Sequence, residues 1–256
     1  MPLIITPKTT EKVFKIFNNI LELRKINPEE SGFWHGNFAD SFYEGLNGLV
    51  HVLFTGYSGA NIGLALLYYA RNQKKFSDKE VYFMGSCFAF DKSKLEPGDI
   101  AFVEDSFSPD SFEQSIYKNC RKNKIQNFTK PDSFLRQDIL RVAKNLKLRL
   151  KPTKVYCRMS PGVIKNFRPK IDLLAESVWW KFALGELKHK DFDSGEYESA
   201  SALATSKLLG FKAISLLNVK DKKTKKGGYF LAPKGQGEKA LEKILILVKE
   251  LILENN

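Results

Sequence analysis

The segment Gly195-Glu196-Tyr197-Glu198-Ser199-Ala200 sets two carboxylates one residue apart, where a glycine-bearing turn enters a run of small residues. A helix N-terminus favours acidic side chains through its dipole and its unpaired N–H groups. A carboxylate pair also accepts hydrogen bonds from vicinal hydroxyls such as the 2′- and 3′-OH of a ribose. Spacing alone leaves both uses open. A third carboxyl, Asp221, ends the stretch Asn218-Val219-Lys220-Asp221 just beyond an apolar run. Its plainer reading is a solvated charge among lysines. Two further apolar runs end on small residues, in Thr55-Gly56-Tyr57-Ser58-Gly59 and in Gly85-Ser86-Cys87. Turns of that kind offer backbone N–H groups to an anion, although most such glycines are plain turns.

These residues fall at the joints of predicted elements. Strands are expected over Gly48–Thr55, Glu80–Met84, Asp99–Val103, Lys154–Cys157 and Ala213–Val219, each a short apolar run. Helical spacing is found over 9–25, with Thr9 or Thr10 as cap, and after Gly59 from Ile62 to Tyr69. It returns over 132–147, over Glu198–Leu209 ahead of Gly210, and over Glu238–Glu254. Strands alternating with helices imply an α/β fold: a single-domain, three-layer sandwich with a central mixed β-sheet flanked by helices over residues 1–256. In such sheets ligands bind where strand ends open into a crevice, and the three small-residue stretches are expected at such ends. No internal repeat is present.

Five segments, taken in order, resemble the nucleoside phosphorylase superfamily of purine nucleoside and uridine phosphorylases. TGYSGANIGLALLYYA is similar to its glycine loop and following helix, and EVYFMGSCFAF to the strand carrying Arg-x-Gly-Ser/Thr-Cys/Thr-Gly. LEPGDIAFV resembles the next strand, GEYESASALATSKLLGFKAISLL the Glu-Met-Glu-Ser/Ala-Ala segment, and NVKD the Thr-Val-Ser-Asp segment. The match runs from about residue 43 to the C-terminal helix, and residues 1–42 are divergent. The resemblance implies cleavage of the N-glycosidic bond of a purine or related ribonucleoside, by phosphorolysis to free base and ribose 1-phosphate. It gives Glu198 the ribose hydroxyls, sets Tyr197 beside the sugar in place of Met, and puts Glu196 near sugar or base. Asp221 matches the aspartate that assists purine departure, and Ser86 and Gly56 match phosphate-contacting positions. Within the loosely similar stretch from Met159, Phe167 or Val163 is expected to flank the base and Arg168 to contact it. No cofactor is implied beyond inorganic phosphate as co-substrate. Relatives are commonly dimers or hexamers, so a homo-oligomer is expected.

Two departures bear on the nucleophile. Phe83 stands where phosphorolytic members carry a phosphate-binding Arg, and Phe88 where they carry a Gly. An apolar ring cannot replace a bidentate guanidinium. A nucleosidase using water is therefore one alternative, and a non-catalytic nucleoside- or nucleic-acid-binding protein is the other.

Composition narrows the field further. With 43% hydrophobic and 27% charged residues the chain is globular. No apolar run reaches the ~20 residues of a membrane span, and the N-terminus lacks a signal-peptide pattern, so a cytoplasmic protein is expected. Cys87, Cys120 and Cys157 form no CxxC pair, and with His35, His51 and His189 they suggest no metal cluster. His35 beside Trp34 reads as a local histidine, and Trp179-Trp180 as core or subunit interface. The net charge of +12 draws polyanions. The lysines are spread along the chain, however, and no nucleic-acid motif accompanies them, so nucleic acid is not an expected partner.

Overall fold

The computed structural model describes residues 1–7, 10–27, 41–55, 61–72, 80–108, 128–157, 192–224 and 229–255. Within them the chain forms one mixed sheet of eleven strands, with helices on both faces. The strands are β1 Leu3–Pro7, β2 Arg24–Lys25, β3 Ser41–Gly45, β4 Val50–Thr55, β5 Glu80–Ala89 and β6 Ile100–Phe107, then β7 Phe128–Thr129, β8 Leu150–Cys157, β9 Ser194–Glu196, β10 Lys212–Lys223 and β11 Tyr229–Leu231. The helices are α1 Glu11–Leu21, α2 Asn61–Asn72, α3 Ser133–Asn145, α4 Ser199–Leu208 and α5 Gln236–Glu254.

Strands β4, β1, β5 and β10 run parallel side by side. Beyond them the sheet closes on itself. β10 pairs antiparallel with β6, β6 parallel with β8, β8 parallel with β9, and β9 antiparallel with β5. Alternation along each strand splits the core in two. One layer joins Leu3, Ile5, Val81, Phe83 and Leu217 to Ile62, Leu66 and Tyr69 of α2 and to Leu203 of α4. The other joins Ile4, Tyr82, Met84, Ile214 and Leu216 to Phe17 and Leu21 of α1, Ile139 of α3, and Ile244 and Val248 of α5.

Local chemistry explains the helix ends. The Thr10 hydroxyl caps α1, accepting from the Val13 N–H at 3.4 Å. Asp132 caps α3, accepting from the N–H groups of Phe134 and Leu135 at 3.0 Å each. α4 is buried from Ser199 to Ser206, as its small residues on every side allow. It ends at Gly210, whose φ of 72° is the left-handed conformation expected of a glycine just past a helix.

Four expectations need correction. Glu80–Met84 is only the first half of β5, which runs on through Gly85-Ser86-Cys87 instead of releasing them into a turn. β10 likewise continues through Asn218-Val219-Lys220-Asp221. Gly195 and Glu196 form the end of a short strand, β9, rather than a loop. In the divergent N-terminal part, β1 is a fully built member of the parallel sheet, paired with both β4 and β5. Its Leu3, Ile4 and Ile5 are too short a run to reveal a period, yet all three are buried.

Candidate functional site

On the layer covered by α1, α3 and α5, the sheet face changes character towards the C-terminal ends of the parallel strands. Ile4, Met84 and Leu216 give way to Thr6, Ser86 and Asn218, each two residues further on and therefore on the same face. Ser86 and Asn218 lie in register on neighbouring strands. Above this polar row opens a cleft of about 470 Å³, within the usual range for small-molecule sites. Thr10 and Val13 at the start of α1 wall it on one side, and Gly235, Gly237 and Glu238 at the start of α5 on the other. The Asn218 amide donates to the Gly237 carbonyl at 3.2 Å, and a Lys12–Glu238 ion pair of 2.8 Å ties the two helix starts together. The Lys12 hydrogen bond also holds the Glu238 carboxyl below its ordinary pKa.

Asp221 reaches this cleft through an irregularity in β10. Val219 pairs with Cys87 and Asp221 with Phe88, leaving Lys220 as an extra, bulged residue. Strict alternation would turn Asp221 to the side of Val219, into the α2–α4 layer. The bulge restores it to the face of Asn218 and Ser86, and Asp221, Lys220 and Ser86 all line the cleft.

The carboxylates before α4 divide their tasks. Glu196 is 2% exposed, and both its oxygens are occupied. Oε1 accepts from the Ser199 N–H at 2.9 Å and from the Cys157 thiol; Oε2 accepts from the N–H groups of Glu198 at 2.6 Å and Ser199 at 3.0 Å. It thus caps α4 from three residues upstream, where unpaired N–H groups and the helix dipole favour a negative charge. Glu198 occupies the N-cap position but makes no side-chain cap bond to the helix. Its carboxylate accepts from the Tyr197 N–H at 3.3 Å, and the side chain is buried. Glu196, Tyr197 and Glu198 do not line the cleft that holds Ser86 and Asp221. Cys87 links the two groups. Burial pushes its thiol pKa well up, and the charges of both Glu196 and Asp221 add to the rise.

Phe83 is fully buried in the α2–α4 layer, three residues from Ser86 and so on the opposite face, with its ring over Gly85. It does not face the cleft. Phe88 has a counterpart in Gly195, where an added Cβ would stand 2.4 Å from the Phe88 ring. The ring occupies the space that a side chain on β9 would need. It joins an aromatic cluster of Phe90, Phe107, Tyr156 and Phe192.

Gly56, Val163, Phe167 and Arg168 lie outside the described residues, as do His35, Trp34, Trp179, Trp180, Cys120 and His189. The sequence pointed to Asn218 at a strand end but not to Thr6 or to the starts of α1 and α5 as cleft walls. The one available signal was the polar residue closing each apolar strand run. Among the described residues no helix is long and apolar enough to cross a membrane, and no three His, Cys, Asp or Glu side chains are grouped to hold a metal ion.

No protein-family model matches the chain, and no curated protein matches it in sequence. Among solved structures it is similar to a futalosine hydrolase mutant of Helicobacter pylori strain 26695, at 12% identity and a TM-score of 0.63 over 99% of each chain. It is similar to the Campylobacter jejuni 5′-methylthioadenosine/S-adenosyl homocysteine nucleosidase, at 18% identity and a TM-score of 0.60 over 99% of this chain and 97% of that one. A P. knowlesi homolog of P. falciparum PNP matches at 13% identity and a TM-score of 0.65, over 98% of this chain and 87% of that one. The chain thus has the nucleoside phosphorylase and nucleosidase fold.

Proposed function

We propose that the protein cleaves the N-glycosidic bond of a purine ribonucleoside or a closely related compound. The observation that carries this reading is the meeting of Ser86 and Asp221, distant in sequence, on the lining of one cleft above the parallel strand ends. In this reading Asp221 supplies a proton or hydrogen bond to the departing base, lowering the barrier to C–N cleavage. The resemblance assigns the ribose hydroxyls to Glu198, which lies outside the described lining of this cleft, and the Ser86 hydroxyl orients the nucleophile beneath the sugar. Phosphate is the nucleophile in the first form of the proposal. Water is the second: Phe83 takes the position of the phosphate-binding Arg that the resemblance implies, and its ring lies in the opposite core layer, so this position gives the cleft no cation.

The test is incubation with a panel of nucleosides, with and without phosphate, followed by separation of bases and sugars. Free purine with ribose 1-phosphate supports phosphorolysis, and free purine with ribose supports hydrolysis. Absence of base release from every nucleoside refutes the reading.

A further inference from the structure

The cleft lining carries donors and positive charge that the cleavage reading leaves without a role. Thr6 is 6% exposed and lies on the lining, and its hydroxyl has no partner among the described residues. The Ser86 hydroxyl and the Lys234 ammonium are likewise unengaged there, and Lys220 makes no side-chain hydrogen bond or ion pair among the described residues, although its charge helps lower the Glu238 pKa. Other lysines nearby are satisfied: Lys222 pairs with Glu96, Lys151 with Asp99 and Lys12 with Glu238. The last pair also removes Glu238 as a competitor, which leaves Asp221 as the one unpaired carboxylate among the described lining residues. The start of α5 adds positive potential. Its N-cap is Gly235, no side chain caps it, and it heads a helix of 19 residues.

These donors are graded by depth. Thr6 is buried and Ser86 half-buried, whereas Lys220 and Lys234 are exposed at the mouth. A nucleophile that attacks the anomeric carbon sits deep, beside the sugar. Positive charge at the mouth matches a group that projects outward from the substrate.

We propose that the cleft takes a nucleoside bearing an oxyanion, a phosphate or a carboxylate, at its 5′ end, held by Lys220, Lys234 and the start of α5. This rests on the nucleoside-cleavage reading and narrows its substrate class. The Lys220 bulge then has two consequences: it turns Asp221 towards the base and sets a cation at the mouth.

The experiment compares adenosine and inosine with their 5′-monophosphates and 5′-carboxylates, measuring both affinity and base release. The protein carries either the native lysines or Lys220→Met with Lys234→Met. The native protein prefers an anionic form by about 10-fold or more, and the double variant loses that preference by about 10- to 100-fold, as expected for charge-assisted hydrogen bonds. The preference also weakens as salt is raised. Whichever of the 5′-phosphate and 5′-carboxylate is favoured identifies the oxyanion. Equal use of neutral and anionic nucleosides, unchanged in the variant, overturns the inference and leaves the cleavage reading standing. Lysine-dependent binding of the anionic compounds without base release does the reverse. If inorganic phosphate stimulates cleavage of neutral nucleosides and the variant loses only that, the lysines hold a co-substrate and the inference is wrong.

Discussion

Glu196→Gln changes one oxygen of a fully occupied carboxylate into an NH2 group, in a pocket that offers only donors. In the native protein the two oxygens accept from the Glu198 N–H at 2.6 Å, from the Ser199 N–H at 2.9 and 3.0 Å, and from the Cys157 thiol. Whichever way the new amide turns, its NH2 meets at least one of these donors, and the charge that favoured the start of α4 is gone. Hydrogen bonds to buried charged groups contribute about 1.5–3 kcal/mol each, so the variant should lose about 2–4 kcal/mol. Urea denaturation measures the loss as a lower midpoint with an unchanged slope.

Glu198→Gln is the paired control. Its side chain makes no cap bond to α4, so it should cost less stability than Glu196→Gln while nucleoside binding is lost. A Glu196→Gln protein of native stability that has lost only nucleoside binding would refute this division of labour. Glu196 would then be the sugar ligand, and the hydrogen bonds described above would be replaced when substrate enters.

Asp221→Asn should lower kcat for purine nucleosides by about 10²–10⁴ with KM little changed, the mark of an interaction made in the transition state. A rise in KM alone would assign the residue to recognition. Gly195→Ala drives a methyl group into the Phe88 ring and should cost about 1–3 kcal/mol, part of it recovered by adding Phe88→Leu. An unaffected single variant would show that β9 shifts freely. His51 gives an acid dependence: burial lowers its pKa from 6.5 to about 4, and its Nδ1 lies 2.7 Å from the Tyr69 hydroxyl. Between those values the unfolded chain binds a proton that the folded one does not. Stability is complete above pH ~6.5 and falls towards pH 4, by about 2–3 kcal/mol once its partial exposure is allowed for. A His51→Gln variant whose denaturation midpoint falls as steeply over this range would assign the acid sensitivity to other groups.

The α/β class and the order of most elements were legible because long helices and buried strands carry their own period. The spacing of Phe17, Ile20 and Leu21 in α1, and of Ile244, Val248 and Leu251 in α5, fixes the faces that meet the sheet. β1 escaped notice for the converse reason. Leu3, Ile4 and Ile5 are buried on both faces, and a strand buried on both faces shows no alternation.

The site was only half legible, and the reason is geometric. Residue type marked Ser86, Glu196, Glu198 and Asp221, but type does not say which way a strand presents them. Phe83 illustrates the difference: its chemistry predicts a weak phosphate clamp, while its place three positions from Ser86 decides that it faces the opposite core layer. Asp221 is the stronger case. Counted from Val219 by strict alternation, it belongs to the α2–α4 core, where a carboxylate would be costly to bury. A single unpaired residue, Lys220, turns it into the cleft. Apolar periodicity carries no signal for such a bulge, because Lys220 resembles the lysines that follow it. The position that most affects the proposed chemistry thus depends on an extra residue in a ladder, visible only once β10 is laid against β5.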